Sequence, residues 1–95
     1  MEFEWDPAKS AWNARERNLP FERAVDVFLD PFRITFVDDR KDYGEVRHLT
    51  MGHIEDLLFV LIYTERPDTI RIISARRANK REEKRYVREI QARSH

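Results

Sequence analysis

The chain has 95 residues, which makes one domain over residues 1–95 and leaves no room for a second. Apolar side chains make up 41%, enough for a packed core, while charged residues reach 38% against ~25% in an average soluble protein, 18 basic balancing 18 acidic. The absence of cysteine excludes a disulfide framework, a thiolate zinc site and a cysteine nucleophile; the longest apolar run, Leu57–Tyr63, is far below the ~20 residues that span a bilayer; and the acidic opening Met1-Glu2-Phe3-Glu4 is unlike a signal peptide. The expectation is a small, soluble, intracellular domain that works without a metal.

Glu2-Phe3-Glu4-Trp5 alternates polar and apolar and predicts a short strand. Asp6-Pro7 predicts a helix start, with the carboxylate accepting from free N–H groups and Pro7 in the first turn. Ala8, Ala11 and Trp12 are the expected inner face of that helix, and Asn18-Leu19-Pro20 its end. Phe21, Ala24, Val25 and Phe28 then recur at the spacing of one buried helical face, and Asp30-Pro31 closes the second helix. Four strands are expected next. They are Ile34–Val37, a weaker one over Val46, Leu49 and Met51 that Gly52 ends, the central Leu57–Tyr63, apolar on both faces, and Ile70–Ser74. Their short spacers suit antiparallel hairpins. Asn79 and Glu82 stand at capping-box positions for a final helix whose apolar face is Tyr86, Val87 and Ile90. The order β-α-α-β-β-β-β-α describes an α+β domain, an antiparallel sheet with two N-terminal helices packed on one side and a C-terminal helix.

Charge is segregated. Residues 1–69 carry 9 basic and 15 acidic side chains, whereas residues 70–95 carry 9 basic and 3 acidic. On the final helix Arg77, Arg81, Lys84 and Arg88 fall in one stripe roughly opposite Tyr86 and Ile90. Such a stripe is either a solvated helix face or a site for an anionic partner. His48, His53 and His95 match no metal spacing and read as structural or surface residues. No glycine-rich phosphate loop is present, and no serine lies in a nucleophile-elbow context. Arginine is what remains. Arg66 sits in a turn, Arg71 on the last strand, and Arg76 and Arg77 at its end, suiting them to bind phosphate through paired hydrogen bonds or to pair with the acidic first half. Simple alternation puts Arg71 and Arg76 on opposite faces of that strand unless a bulge intervenes.

These residues resemble the BrnT family of bacterial toxins along nearly the whole chain. The matching pieces are Phe3-Glu4-Trp5-Asp6 with Lys9 and Asn13, then Phe21-Glu22 and Ala24, then Phe28-Leu29-Asp30-Pro31. Further on come Asp42-Tyr43-Gly44-Glu45 with Arg47 and Gly52, Tyr63-Thr64-Glu65-Arg66, Arg71-Ile72-Ile73-Ser74-Ala75-Arg76, and Glu82-Glu83 with Tyr86. One step departs: where the family commonly has Lys-His-Gly, this chain has Glu16, Arg17 and Asn18. Asn18 can replace glycine at a left-handed helix end, but Arg17 cannot replace a histidine base.

The resemblance implies a RelE-like fold and a cytoplasmic, cofactor-free endoribonuclease toxin, cutting RNA by attack of the ribose 2′-OH on the adjacent phosphate. It also implies a cognate BrnA-type antitoxin, a hetero-oligomer with it, and contact with DNA only through that partner. Arg66 and Arg76 are the expected donors to the phosphate. Lys9, Glu45 and Tyr63 are the candidates for proton transfer, and Arg71, Arg77, Arg81, Lys84 and Arg88 are expected to hold RNA. Each proton-transfer candidate has a plainer reading: Lys9 as a helix-surface charge, Glu45 as a partner of Arg47, Tyr63 as a residue at the core edge. The alternative to an enzyme is a non-catalytic module that binds RNA or protein through its basic end.

Overall fold

A computed structural model of the chain describes residues 1–94, so His95 lies outside the described residues. In chain order the elements are β1 (Glu2–Glu4), α1 (Pro7–Arg17), α2 (Phe21–Ala24) running into a 3-10 helix (Val25–Leu29), β2 (Ile34–Asp38), β3 (Arg47–Ile54), β4 (Leu57–Glu65), β5 (Thr69–Arg77) and α3 (Lys80–Arg93). The five strands form one sheet in the order β1-β5-β4-β3-β2. Strands β2 to β5 form the expected antiparallel meander, but β1 runs parallel to β5, with Phe3 opposite Ile70. The sheet is therefore mixed rather than antiparallel. The crossover that parallel pairing requires is supplied by everything between β1 and β5.

The helices divide between the two faces of the sheet. Phe21, Ala24 and Val27 pack on one side against Leu61, Tyr63, Ile70, Ile72 and Ala75. Tyr86 and Ile90 of α3 pack on the other against Ile34, Met51, Leu58 and Val60. Strand β4 lies between two cores, which is why its apolar run has no polar face. The second helix tightens after Ala24 because three residues per turn line up Phe21, Ala24 and Val27. Val27 is fully buried, and Val25 and Phe28 are only partly covered.

Helix α1 corrects the expected inner face. Ala8, Ala11 and Trp12 are exposed, and Ser10 and Asn13 point inward. The polar pair is buried because each satisfies backbone groups elsewhere. Ser10 Oγ accepts from Phe21 N at 2.9 Å, and Asn13 Nδ2 donates to Leu19 O at 2.7 Å and Ala75 O at 3.0 Å. The ends follow the sequence. Asp6 Oδ1 accepts from Ala8 N at 2.9 Å, and Asn18 takes the left-handed conformation with φ 54°.

Gly52 does not end β3; the strand runs on to Ile54. A Cβ there would meet Val27 Cγ1 at 2.8 Å, so the glycine marks the close approach of the 3-10 helix to the sheet. The capping box of α3 is complete, with Asn79 Oδ1 accepting from Glu82 N at 2.8 Å and Glu82 Oε1 accepting from Asn79 N at 2.9 Å.

Candidate functional site

One irregularity in β5 decides which side chains meet. Ser74 pairs with Ile62 and Ile72 with Tyr63, so Ile73 is an extra residue without a partner. A bulge of this kind reverses the alternation beyond it. Ile70, Ile72 and Ala75 consequently share the face toward α2. Arg71, Ser74 and Arg76 share the other, opposite Thr64, Ile62 and Val60 of β4. The two arginines are on one face because the bulge intervenes.

The same face carries more cations. Arg47 stands opposite Asp38 in the β2–β3 pair. Its guanidinium lies 4.0 Å from the Tyr43 ring centre, and its Nε is buried without a hydrogen-bond partner among the described residues, 3.5 Å from Glu45 Oε1. Arg40, in the loop after β2, holds the buried Asp38 carboxylate through Nε at 2.7 Å and Nη2 at 2.9 Å. That paired bond holds Asp38 below its ordinary pKa and raises that of Arg40. The segment Asp38–Asp42 is thus tied to the arginine face rather than presenting a purely acidic surface.

Arg76 donates to both oxygens of Glu82, at 2.7 and 2.9 Å. The bond raises the pKa of Arg76 and lowers that of Glu82, and the charge of Arg40 is close enough to act on both. Glu82 therefore caps α3 and anchors the helix to β5. Arg85 stacks on Phe36 with 3.6 Å between Cζ and the ring centre.

The other expected site residues are dispersed. Arg66 Nε and Arg71 Nη1 both approach Glu4 Oε1, at 3.7 and 3.6 Å, so the ion pair of the turn is with β1 and not with Glu65 or Asp68. Tyr63 is buried on the opposite face, edge-on to Phe28 and stacked with His48, its hydroxyl 3.4 Å from Thr50 Oγ1. Glu45 is exposed in the β2–β3 loop. Lys9 lines a cleft of about 220 Å3 between α1 and β5, with Trp12, Arg17, Phe21 and Ser74. Arg77 leans toward Phe59, 5.9 Å from its ring centre. Arg81, Lys84 and Arg88 are exposed on the outer side of α3, away from Tyr86 and Ile90, and make no ion pair among the described residues. Sequence alone does not mark Arg40, Arg47 and Arg85 as site residues; the local signal it offers is a basic residue two positions from an acidic one in a hairpin loop, as at Asp38 and Arg40.

Fold and face together define a small α+β domain that gathers arginines from β3, β5, α3 and the β2–β3 loop on one side of its sheet. The family described as ribonuclease toxin, BrnT, of type II toxin-antitoxin system matches residues 5–82, and the chain belongs to that family. No curated protein matched the chain. Among the described residues no three His, Cys, Asp or Glu side chains group to hold a metal ion, and no helix is long and apolar enough to cross a membrane.

Proposed function

We propose that this chain is a RelE-like endoribonuclease of the cytoplasm that cuts RNA on the arginine face without a metal, and that a BrnA-type antitoxin neutralises it. The observation that carries the reading is the bulge at Ile73, which joins Arg71 and Arg76 to Arg47 and Arg40 on one face. Arg71, 3.6 Å from Glu4 Oε1, and Arg47 there can hold the scissile phosphate and stabilise the charge that builds on its oxygens in the transition state. Arg76 and Arg40 stay bound to Glu82 and Asp38 and add positive field to the face. The 2′-oxygen bonds to phosphorus, the bond from phosphorus to the 5′-oxygen breaks, and a 2′,3′-cyclic phosphate remains. The 2′-hydroxyl proton needs an acceptor and the departing 5′-oxygen needs a donor. Of Lys9, Glu45 and Tyr63 we assign the acceptor role to Glu45, which touches Arg47, whereas Tyr63 is on the other face and Lys9 at the sheet edge.

RNA incubated with the protein in EDTA should yield fragments ending in cyclic phosphate. Arg71→Ala, at a partly exposed side chain, and Glu45→Gln should each slow this at least about tenfold, with melting temperatures close to wild type. Tight RNA binding with no cutting by the wild type would instead describe a binding module.

A further inference from the structure

The cleft between α1 and β5 is unused by the chemistry above. Its outer wall is Trp12, an indole 45% exposed on a helix face where burial was expected. Arg17 Cζ lies 4.9 Å from the centre of that ring. The guanidinium is fixed from behind, since Nη1 donates to Ala75 O at 2.9 Å and Asn13 Oδ1 at 3.3 Å; Nε and Nη2 carry no protein hydrogen bond among the described residues. Lys9, one helical turn before Trp12, adds a second cation, and among the described residues no carboxylate lines the cleft. Ser74 is at once a wall of the cleft and a neighbour of Arg71 and Arg76 on the arginine face, so the two sites are continuous across the edge of β5.

An exposed aromatic ring paired with a guanidinium and flanked by free cationic donors is suited to a flat π-system beside an anion. We propose that the cleft holds one base of a single-stranded RNA, stacked on the Trp12–Arg17 pair, with a flanking phosphate on Lys9 and the free donors of Arg17. The subsite rests on the ribonuclease reading and adds to it a choice of substrate: unpaired RNA, whose bases can turn outward, over duplex. An added peptide strand fits the edge less well. The outward carbonyl of Ala75 already accepts from both Asn13 and Arg17 and is not free for a ladder bond.

The test uses the full chain carrying Trp5→Phe, which leaves Trp12 as the single tryptophan, and a 2′-O-methyl oligonucleotide, which cannot be cut by its own 2′-oxygen. Binding should quench the Trp12 emission. Trp12→Ala should weaken affinity about tenfold, and Trp12→Phe should restore most of it. An oligonucleotide of abasic residues should bind Trp12→Ala and its parent alike. Quenching lost only with the abasic strand supports the subsite. Equal affinity of Trp12→Ala and parent for the complete strand, with unchanged emission, overturns it and leaves the ribonuclease reading standing. Failure of the parent to bind any oligonucleotide overturns both. Quenching by a glutamate-rich peptide but not by RNA assigns the cleft to a protein and overturns the base subsite.

Discussion

Arg76 and Arg66 are both arginines near the ends of β5, yet their surroundings give them different work. Arg76 is mostly covered and spends its fork on Glu82, whose carboxylate also caps α3, so one ion pair fixes the junction of strand and helix. Glu82 has a lowered pKa in the folded protein because Arg76 hydrogen-bonds its charged form. A depressed carboxylate pKa contributes stability that is present above the ordinary value and disappears as pH falls through the folded one. Glu82→Gln should therefore cost roughly 1 kcal/mol at neutral pH, and the gap from wild type should close on acidification below the usual 4.5. Urea unfolding at a series of pH values checks this; a gap independent of pH would mean that the charge of Glu82 contributes nothing. Arg66 meets Glu4 at 3.7 Å with both side chains more than two-fifths exposed. Arg66→Ala should thus cost no more than about 0.5 kcal/mol in the same measurement. A loss near 2 kcal/mol would make the pair structural and remove the reason for assigning Arg66 to phosphate.

At the scale of elements, what could be read from sequence was whatever has a local cause. The capping box at Asn79 and Glu82, the left-handed Asn18 and the two-sided apolar strand β4 each depend on residues a few positions apart, and each is found as expected. Three features depend on distant partners and left no local mark. Strand β1 is too short to announce a parallel neighbour, and its partner in β5 lies more than sixty residues away. Asn13 is buried because it serves Ala75 O, so a polar residue took the position that periodicity reserved for Ala11 and Trp12. The bulge sits in Ile-Ile-Ser, without a glycine to signal it, and it decides the site because it sets which face Arg76 occupies. Gly52 lies between these cases. Its presence was visible, but its reason, contact with Val27, belongs to packing and not to strand termination. Gly52→Ala should force the 3-10 helix away from β3 at a cost of about 1–3 kcal/mol, read as a lower urea midpoint. An unchanged midpoint would show that the helix shifts freely on the sheet.

Over the whole molecule, zero net charge conceals two unlike regions, and the structure separates them further by pairing some cations and not others. Arg23, Arg40, Arg47, Arg66, Arg71 and Arg76 each meet a carboxylate, whereas Arg81, Lys84 and Arg88 meet none among the described residues. The unpaired set lies on the outer side of α3, whose inner side holds the sheet through Tyr86 and Ile90. Among the described residues no ion pair holds these three side chains, so an anionic surface that approaches from outside gains their field without displacing a bound carboxylate. The family is one of type II toxin-antitoxin systems, and exposed charges on one face raise the rate of encounter with an oppositely charged partner more than they deepen the final affinity. An antitoxin segment rich in Asp or Glu, ordered on binding, would complement this helix. Arg81→Glu with Lys84→Glu should then slow association in stopped-flow mixing at low salt, with the difference shrinking as salt screens the helix and with the melting temperature unchanged. If association keeps its rate in the double variant while Asp39→Lys with Asp42→Lys abolishes it, the antitoxin docks on the β2–β3 loop, and the stripe on α3 is left for RNA.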